Sequence, residues 1–109
     1  MKHLEWVKGA VIYQVFPDRF AKSETAKVDG VFERWEAPET LDGFKGGNLK
    51  GAEERLDYLK GLGVNAIYFT PIFASAANHR YHTFDYYSVD PVLGGNEAFK
   101  SFLRAAHKR

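Results

Sequence analysis

The sequence predicts an α/β chain made of two consecutive βα units, ordered strand, helix, strand, helix. Three observations predict it. Two short runs rich in β-branched and aromatic residues, 9–16 and 64–71, read as strands. Apolar residues recur at helical spacing after each of them, from 49 and again from about 95. The turn from the first helix to the second strand is short and glycine-rich, whereas a long segment separates each strand from its helix. Strand, helix, short turn and strand form a βαβ unit, which joins a parallel pair through a right-handed crossover.

The first strand, Gly9-Ala10-Val11-Ile12-Tyr13-Gln14-Val15-Phe16, does not alternate cleanly between apolar and polar residues. That pattern predicts burial on both faces, and Pro17 ends the run. Residues 17–48 hold no sustained helical period and read as a long polar and aromatic loop, of a length that usually carries function or is disordered. Asn48 suits the N-cap of a helix beginning at Leu49. Ala52, Leu56 and Leu59 then form one apolar stripe, with Glu53, Glu54, Arg55 and Lys60 on the solvent side. Gly61 and Gly63 suit the end of that helix. The second strand, Val64-Asn65-Ala66-Ile67-Tyr68-Phe69-Thr70-Pro71, leads into a second long loop over 72–95. A final helix starts near Gly95 or Asn96 and buries Phe99, Phe102, Leu103 and Ala106. Lys108 and Arg109 complement its C-terminal dipole.

Bulk properties narrow the function classes. The 109 residues suit one small domain, and 45% apolar content with nine Phe, six Tyr and two Trp supports a packed core. A net charge of +1, from 15 basic and 14 acidic residues, gives no basis for a nucleic-acid or membrane partner. The absence of cysteine excludes disulfides and thiolate metal sites. No apolar segment resembles a signal peptide or a bilayer span, so a soluble, cytoplasmic protein is expected.

Both long loops follow a strand, and in barrels of βα units those loops build the functional face. Two strands cannot close such a barrel, which needs eight strands and about 250 residues.

Four motifs in order carry a resemblance. They are Tyr13-Gln14-Val15-Phe16-Pro17-Asp18-Arg19-Phe20, then Gly46-Gly47-Asn48-Leu49-Lys50-Gly51 with Leu56-Asp57-Tyr58-Leu59. Gly63-Val64-Asn65-Ala66-Ile67-Tyr68-Phe69-Thr70-Pro71 follows, then Asn78-His79-Arg80-Tyr81-His82-Thr83 with Asp85-Tyr86-Tyr87-Ser88-Val89-Asp90-Pro91. Together they resemble the start of the catalytic barrel in α-amylase-family glycosidases. The Phe-Pro-Asp-Arg-Phe turn resembles most the cyclomaltodextrinase, neopullulanase and maltogenic amylase group.

The resemblance implies that residues 1–109 are the N-terminal part of a (β/α)8 TIM barrel, its first two βα units, incomplete. It implies a retaining hydrolase of α-1,4-glucans, maltodextrins or cyclodextrins. In that chemistry one carboxylate attacks the anomeric carbon and a second carboxylic acid, roughly 5–5.5 Å away, protonates the leaving oxygen. The family places its catalytic Asp, Glu and Asp after the fourth, fifth and seventh strands. No catalytic residue is therefore assigned here, and the chain alone is expected to be inactive.

Two substrate contacts carry over. Tyr81 matches an aromatic residue that stacks on the sugar in the cleavage subsite, and His79 matches a histidine lining the same subsite. No cofactor is implied. Calcium, which binds the first loop in many relatives, is disfavoured here because Lys22, Ser23, Glu24 and Thr25 replace an Asn/Asp-rich pattern. The expected partner is an α-glucan oligosaccharide. Exposed strand edges further imply self-association or aggregation of the isolated chain.

Plainer alternatives stay open from sequence. Some amylase-like barrels are non-catalytic and serve as carbohydrate-binding or interaction modules, and the presence of carboxylates after strands four, five and seven is what discriminates the two readings. Asp18 and Arg19 could frame an active-site mouth or form an ion pair tying a loop to the rim. His79, His82 and Asp85 fall three apart, but zinc would need further ligands. Glu36, Glu39 and Asp42 read as a solvated loop face.

Overall fold

The computed structural model describes residues 8–23, 32–38, 40, 43–75 and 83–109, with the backbone alone for 83–86. Strand β1 (Ile12–Val15) runs parallel to β2 (Ala66–Phe69), in a register that pairs Ile12 with Ala66 and Val15 with Phe69. Asn65 fixes where the pairing begins. Its Oδ1 accepts from Val11 N–H at 2.7 Å, and its Nδ2 donates to the Gly9 carbonyl at 3.1 Å. At the other end, Thr70 N–H donates to the Val15 carbonyl at 2.9 Å. The parallel pair and its helical crossover match the expected βαβ unit.

The crossover helix is divided. Helix α2 (Leu49–Glu53) and helix α3 (Leu56–Gly61) are separated at Glu54 and Arg55. At the break, Arg55 N–H bonds the Ala52 carbonyl, only three residues back. Helix α1 (Pro17–Phe20) is a single turn directly after β1, with Pro17 at its first position. The stretch 17–48 is therefore not a loop throughout. Asn48 caps α2 as expected, its Oδ1 accepting from Gly51 N–H at 2.8 Å.

The second long connection also contains structure that its reading as a loop did not anticipate. Strand β3 (Phe73–Ser75) pairs antiparallel with β4 (Thr83–Val89), through an irregular register. A 3₁₀ turn (Pro91–Leu93) then leads into helix α4 (Gly95–His107). Asp90 organises that corner, since its Oδ1 accepts from Val92 N–H at 2.9 Å and its carbonyl accepts from Leu93 and Gly95 N–H. Asn96 reaches back from α4, and its Oδ1 accepts from Val89 N–H at 2.8 Å.

The core joins these elements in two clusters. Leu49, Ile72, Val89 and Leu93 form one, and Ala52, Leu56 and Phe102 form the other. Phe69 packs against both, and its ring meets Phe102 edge-on at 4.9 Å. Leu49, Leu59 and Leu93 are wholly buried. Each such side chain contributes about 1.5–3 kcal/mol relative to leaving it exposed. The predicted stripe of Ala52, Leu56 and Leu59 is buried as a unit.

Two burial expectations are corrected. In β1 only Val15 is buried, while Ile12 is 63% exposed, because β2 covers one edge and no further strand flanks it among the described residues. On α4, Phe102 is buried, and Phe99 and Ala106 are half-buried. Leu103 is exposed, because the groove beside it is open.

Candidate functional site

Parallel strands send the segments that follow them out of the same end of the sheet. Here that end carries the segment after β1 and the segment after β2, held together where Thr70 meets the Val15 carbonyl. Its geometry is set by Asp18. The Asp18 side chain is fully buried, and its Oδ2 accepts from Lys45 N–H at 2.9 Å. Its Oδ1 accepts from Gly46 N–H at 3.1 Å, and Arg19 Nε donates to Oδ2 at 3.1 Å. The Asp18 carbonyl accepts from Gly47 N–H at 2.9 Å. A buried carboxylate needs this level of satisfaction, since an unpaired one would be expelled or neutralised.

This arrangement explains the glycine motif before α2. A Cβ on Gly47 would collide with the Pro17 carbonyl oxygen, and one on Gly51 would collide with the Ala21 carbonyl oxygen. The turn after β1 packs directly on the start of α2, and only glycine permits that approach. Asn48 N–H completes the junction by donating to the Ala21 carbonyl at 3.1 Å.

Two cations strap the outer loop onto this base. Arg19 Nη2 donates to the carbonyls of Thr40 at 3.2 Å and Gly43 at 3.3 Å. Lys45 Nζ donates to the carbonyls of Arg34 at 3.0 Å and Ala37 at 2.6 Å. Glu33 Oε1 lies 3.7 Å from that ammonium, and Glu33 Oε2 accepts from Thr40 Oγ1 at 2.8 Å. The Thr40 hydrogen bond, opposed by desolvation and assisted by Lys45 and Arg19, holds the Glu33 carboxyl below the ordinary carboxylate range.

The other carboxylates with described partners are also engaged. Glu54 accepts from Ser23 Oγ at 3.0 Å. Glu53 accepts from Ser101 Oγ at 2.7 Å and from Lys50 Nζ at 3.1 Å. Asp57 pairs with Arg109 at 2.7 Å, and that hydrogen bond holds the Asp57 carboxyl low and the Arg109 guanidinium high. Acid–base chemistry needs a carboxyl group aimed at a reacting atom. These groups are aimed at backbone amides, hydroxyls and cations, so they position loops and helices.

Of the two readings of Asp18 and Arg19, the structure brings out the ion pair. Glu36 is exposed, as a solvated loop face requires, while Glu39 and Asp42 lie outside the described residues. Ser23 is buried, and Lys22 Nζ stands 5.6 Å from the centre of the Phe32 ring. Glu24 and Thr25 lie outside the described residues, as do Tyr81, His79 and His82, and the Asp85 side chain is not described. The structural role of Lys45 was not anticipated from sequence. The only local signal was a lysine placed between an aromatic residue and a glycine pair.

The chain is similar to known proteins over nearly its full length. It is 48% identical over 107 residues to neopullulanase 2 of Thermoactinomyces vulgaris, covering 96% of this chain and 18% of that protein. It is 45% identical over 105 residues to a maltogenic alpha-amylase of Bacillus acidopullulyticus, covering 95% of this chain and 18% of that protein. Among solved structures, it superposes with a TM-score of 0.90 at 40% identity on the cyclic alpha-maltosyl-(1→6)-maltose hydrolase of Arthrobacter globiformis in complex with its cyclic sugar. That match covers 96% of this chain and 24% of the hydrolase. The debranching enzyme of Nostoc punctiforme gives a TM-score of 0.78 at 60% identity, covering 96% of this chain and 22% of that one. The chain thus spans about a fifth of the length of the relatives it matches. Residues 14–109 match the Alpha-amylase family, described as the alpha amylase catalytic domain, and the chain belongs to that family of TIM-barrel enzymes.

Proposed function

We propose that this chain is the opening portion of the catalytic barrel of a retaining glycoside hydrolase acting on α-1,4-glucans, maltodextrins or cyclodextrins. The observation that carries the reading is the family match over 14–109, supported by relatives named neopullulanase, maltogenic alpha-amylase and cyclomaltodextrinase. In the reaction, a carboxylate forms a bond to the anomeric carbon as the glycosidic bond breaks, and a carboxylic acid gives its proton to the departing oxygen. Water then cleaves the glycosyl–enzyme bond, and configuration is retained.

This chain contributes substrate contact in that scheme and no acid, base or nucleophile. Tyr81 stacks on the apolar face of the sugar ring in the cleavage subsite, and His79 hydrogen-bonds a sugar hydroxyl there. The Asp18 junction holds the neighbouring loop in place. The isolated chain is inactive and self-associates through its open strand edges. The enzyme is cytoplasmic. One relative is an intracellular maltogenic amylase of Bacillus subtilis, which supports this reading.

The test is steady-state hydrolysis of maltotriose and a cyclodextrin by the intact protein and its Tyr81→Ala variant. The wild type should release product, and loss of the stacking ring should cost about 1–2 kcal/mol of transition-state binding, roughly a 5- to 30-fold fall in kcat/KM. Absence of any α-glucan turnover by the intact protein would refute the assignment. An unchanged kcat/KM in the variant would remove Tyr81 from the subsite.

A further inference from the structure

Lys45 is buried to 2% exposure, an unusual state for a lysine. Its two polar ends tie different parts of the loop together. The backbone N–H donates to the buried Asp18 carboxylate, and the ammonium donates to the carbonyls of Arg34 and Ala37. The Glu33 carboxylate stands beside the same ammonium at 3.7 Å. Two backbone carbonyls and one carboxylate converging on one point are the oxygen donors with which proteins bind hard cations. Here the converging point is the side chain of the protein itself. The Glu33 N–H, which donates to the Phe44 carbonyl at 2.7 Å, closes the loop around it.

We propose that the Lys45 ammonium is the structural cation of this loop, filling an oxygen-lined site so that the loop holds its shape without a bound metal ion. The loop's carbonyls have an internal donor, and a divalent ion at the same point would have to displace a buried positive charge. Calcium does not fit this donor set while Lys45 is present. The inference rests on loop geometry and is independent of the glucan assignment.

Hydrogen exchange, followed by mass spectrometry on peptides covering 32–45 in the intact protein, tests it. Wild-type protection should be unchanged by EDTA and by added calcium. Lys45→Met keeps the stem and removes the charge, so exchange at the Glu33 amide should quicken about tenfold or more. In Lys45→Ala, added propylammonium should slow that exchange again by restoring a cation in the vacated space. Loss of wild-type protection in EDTA would overturn the proposal, and this arm decides even if neither variant folds. Full protection in Lys45→Met would also overturn it. So would a folded Lys45→Ala variant that propylammonium does not protect, because the effect would then come from packing of the stem.

Discussion

At the scale of single residues, carboxylates, the groups that glycoside hydrolysis needs, are used here for construction. Asp18 accepts two backbone N–H bonds and an arginine bond while wholly buried, which leaves it no free edge for a substrate. Glu53 is engaged in a similar way between two helices. Desolvation raises its carboxyl pKa, but the hydrogen bonds from Ser101 and Lys50 outweigh it, and the net shift is downward. The folded state therefore takes up a proton less readily than the unfolded chain. Its stabilisation is complete above the unfolded pKa and is lost as pH falls through the lowered folded value. Removing the hydroxyl with Ser101→Ala should cost about 1 kcal/mol near neutral pH. That cost should shrink as pH falls through and below the ordinary carboxylate range, as Glu53 becomes protonated in either protein. Thermal melts of both proteins across that range check this. An equal difference at every pH would show that Glu53 protonation is not coupled to the contact.

At the scale of elements, the parts governed by local periodicity were legible and those governed by distant partners were not. Asn48 followed by Leu49, Ala52, Leu56 and Leu59 announced a capped amphipathic helix, and the cap bond and buried stripe are both present. The division at Glu54 and Arg55 leaves no mark in that stripe, because Ala52 and Leu56 stay on one face across it. The β3–β4 pair lies in a stretch that reads as loop from sequence. Strand β3 is three residues long, and its pairing has register shifts on both sides of Ala74, so no clean alternation marks it. Strand β4 did carry a signal in Thr83, Tyr86, Tyr87 and Val89, all favourable strand formers. The candidate subsite itself, Tyr81 and His79, rested on resemblance to a family, since no spacing rule identifies a sugar-stacking tyrosine. The loop straps of Arg19 and Lys45 act on carbonyls up to 24 residues away, and backbone acceptors have no sequence signature.

At the scale of the whole molecule, the described chain leaves a large apolar surface open. Val11 and Ile12 on or beside β1, and Tyr68 on β2, are each at least half exposed. An open groove of about 640 Å³ runs beside β2, lined by Leu59, Ile67, Phe99 and Leu103 among others. Its lining is mainly aliphatic and aromatic, and none of the loop residues of the Asp18 junction borders it. Surfaces of this kind drive association. Sedimentation of the isolated 109-residue chain should show species heavier than its 12.4 kDa mass. A single monomeric species with a cooperative melt would contradict that expectation.

The central claim is that these residues scaffold glucan hydrolysis without performing it. Release of reducing ends from maltotriose, measured side by side for the isolated chain and the intact protein, tests it most directly. The account predicts product from the intact protein and none above background from the chain, because every described carboxylate at the Asp18 junction is bound to backbone amides, a hydroxyl or a cation. Turnover by the isolated chain would contradict the account and would place the hydrolytic carboxylates within residues 1–109.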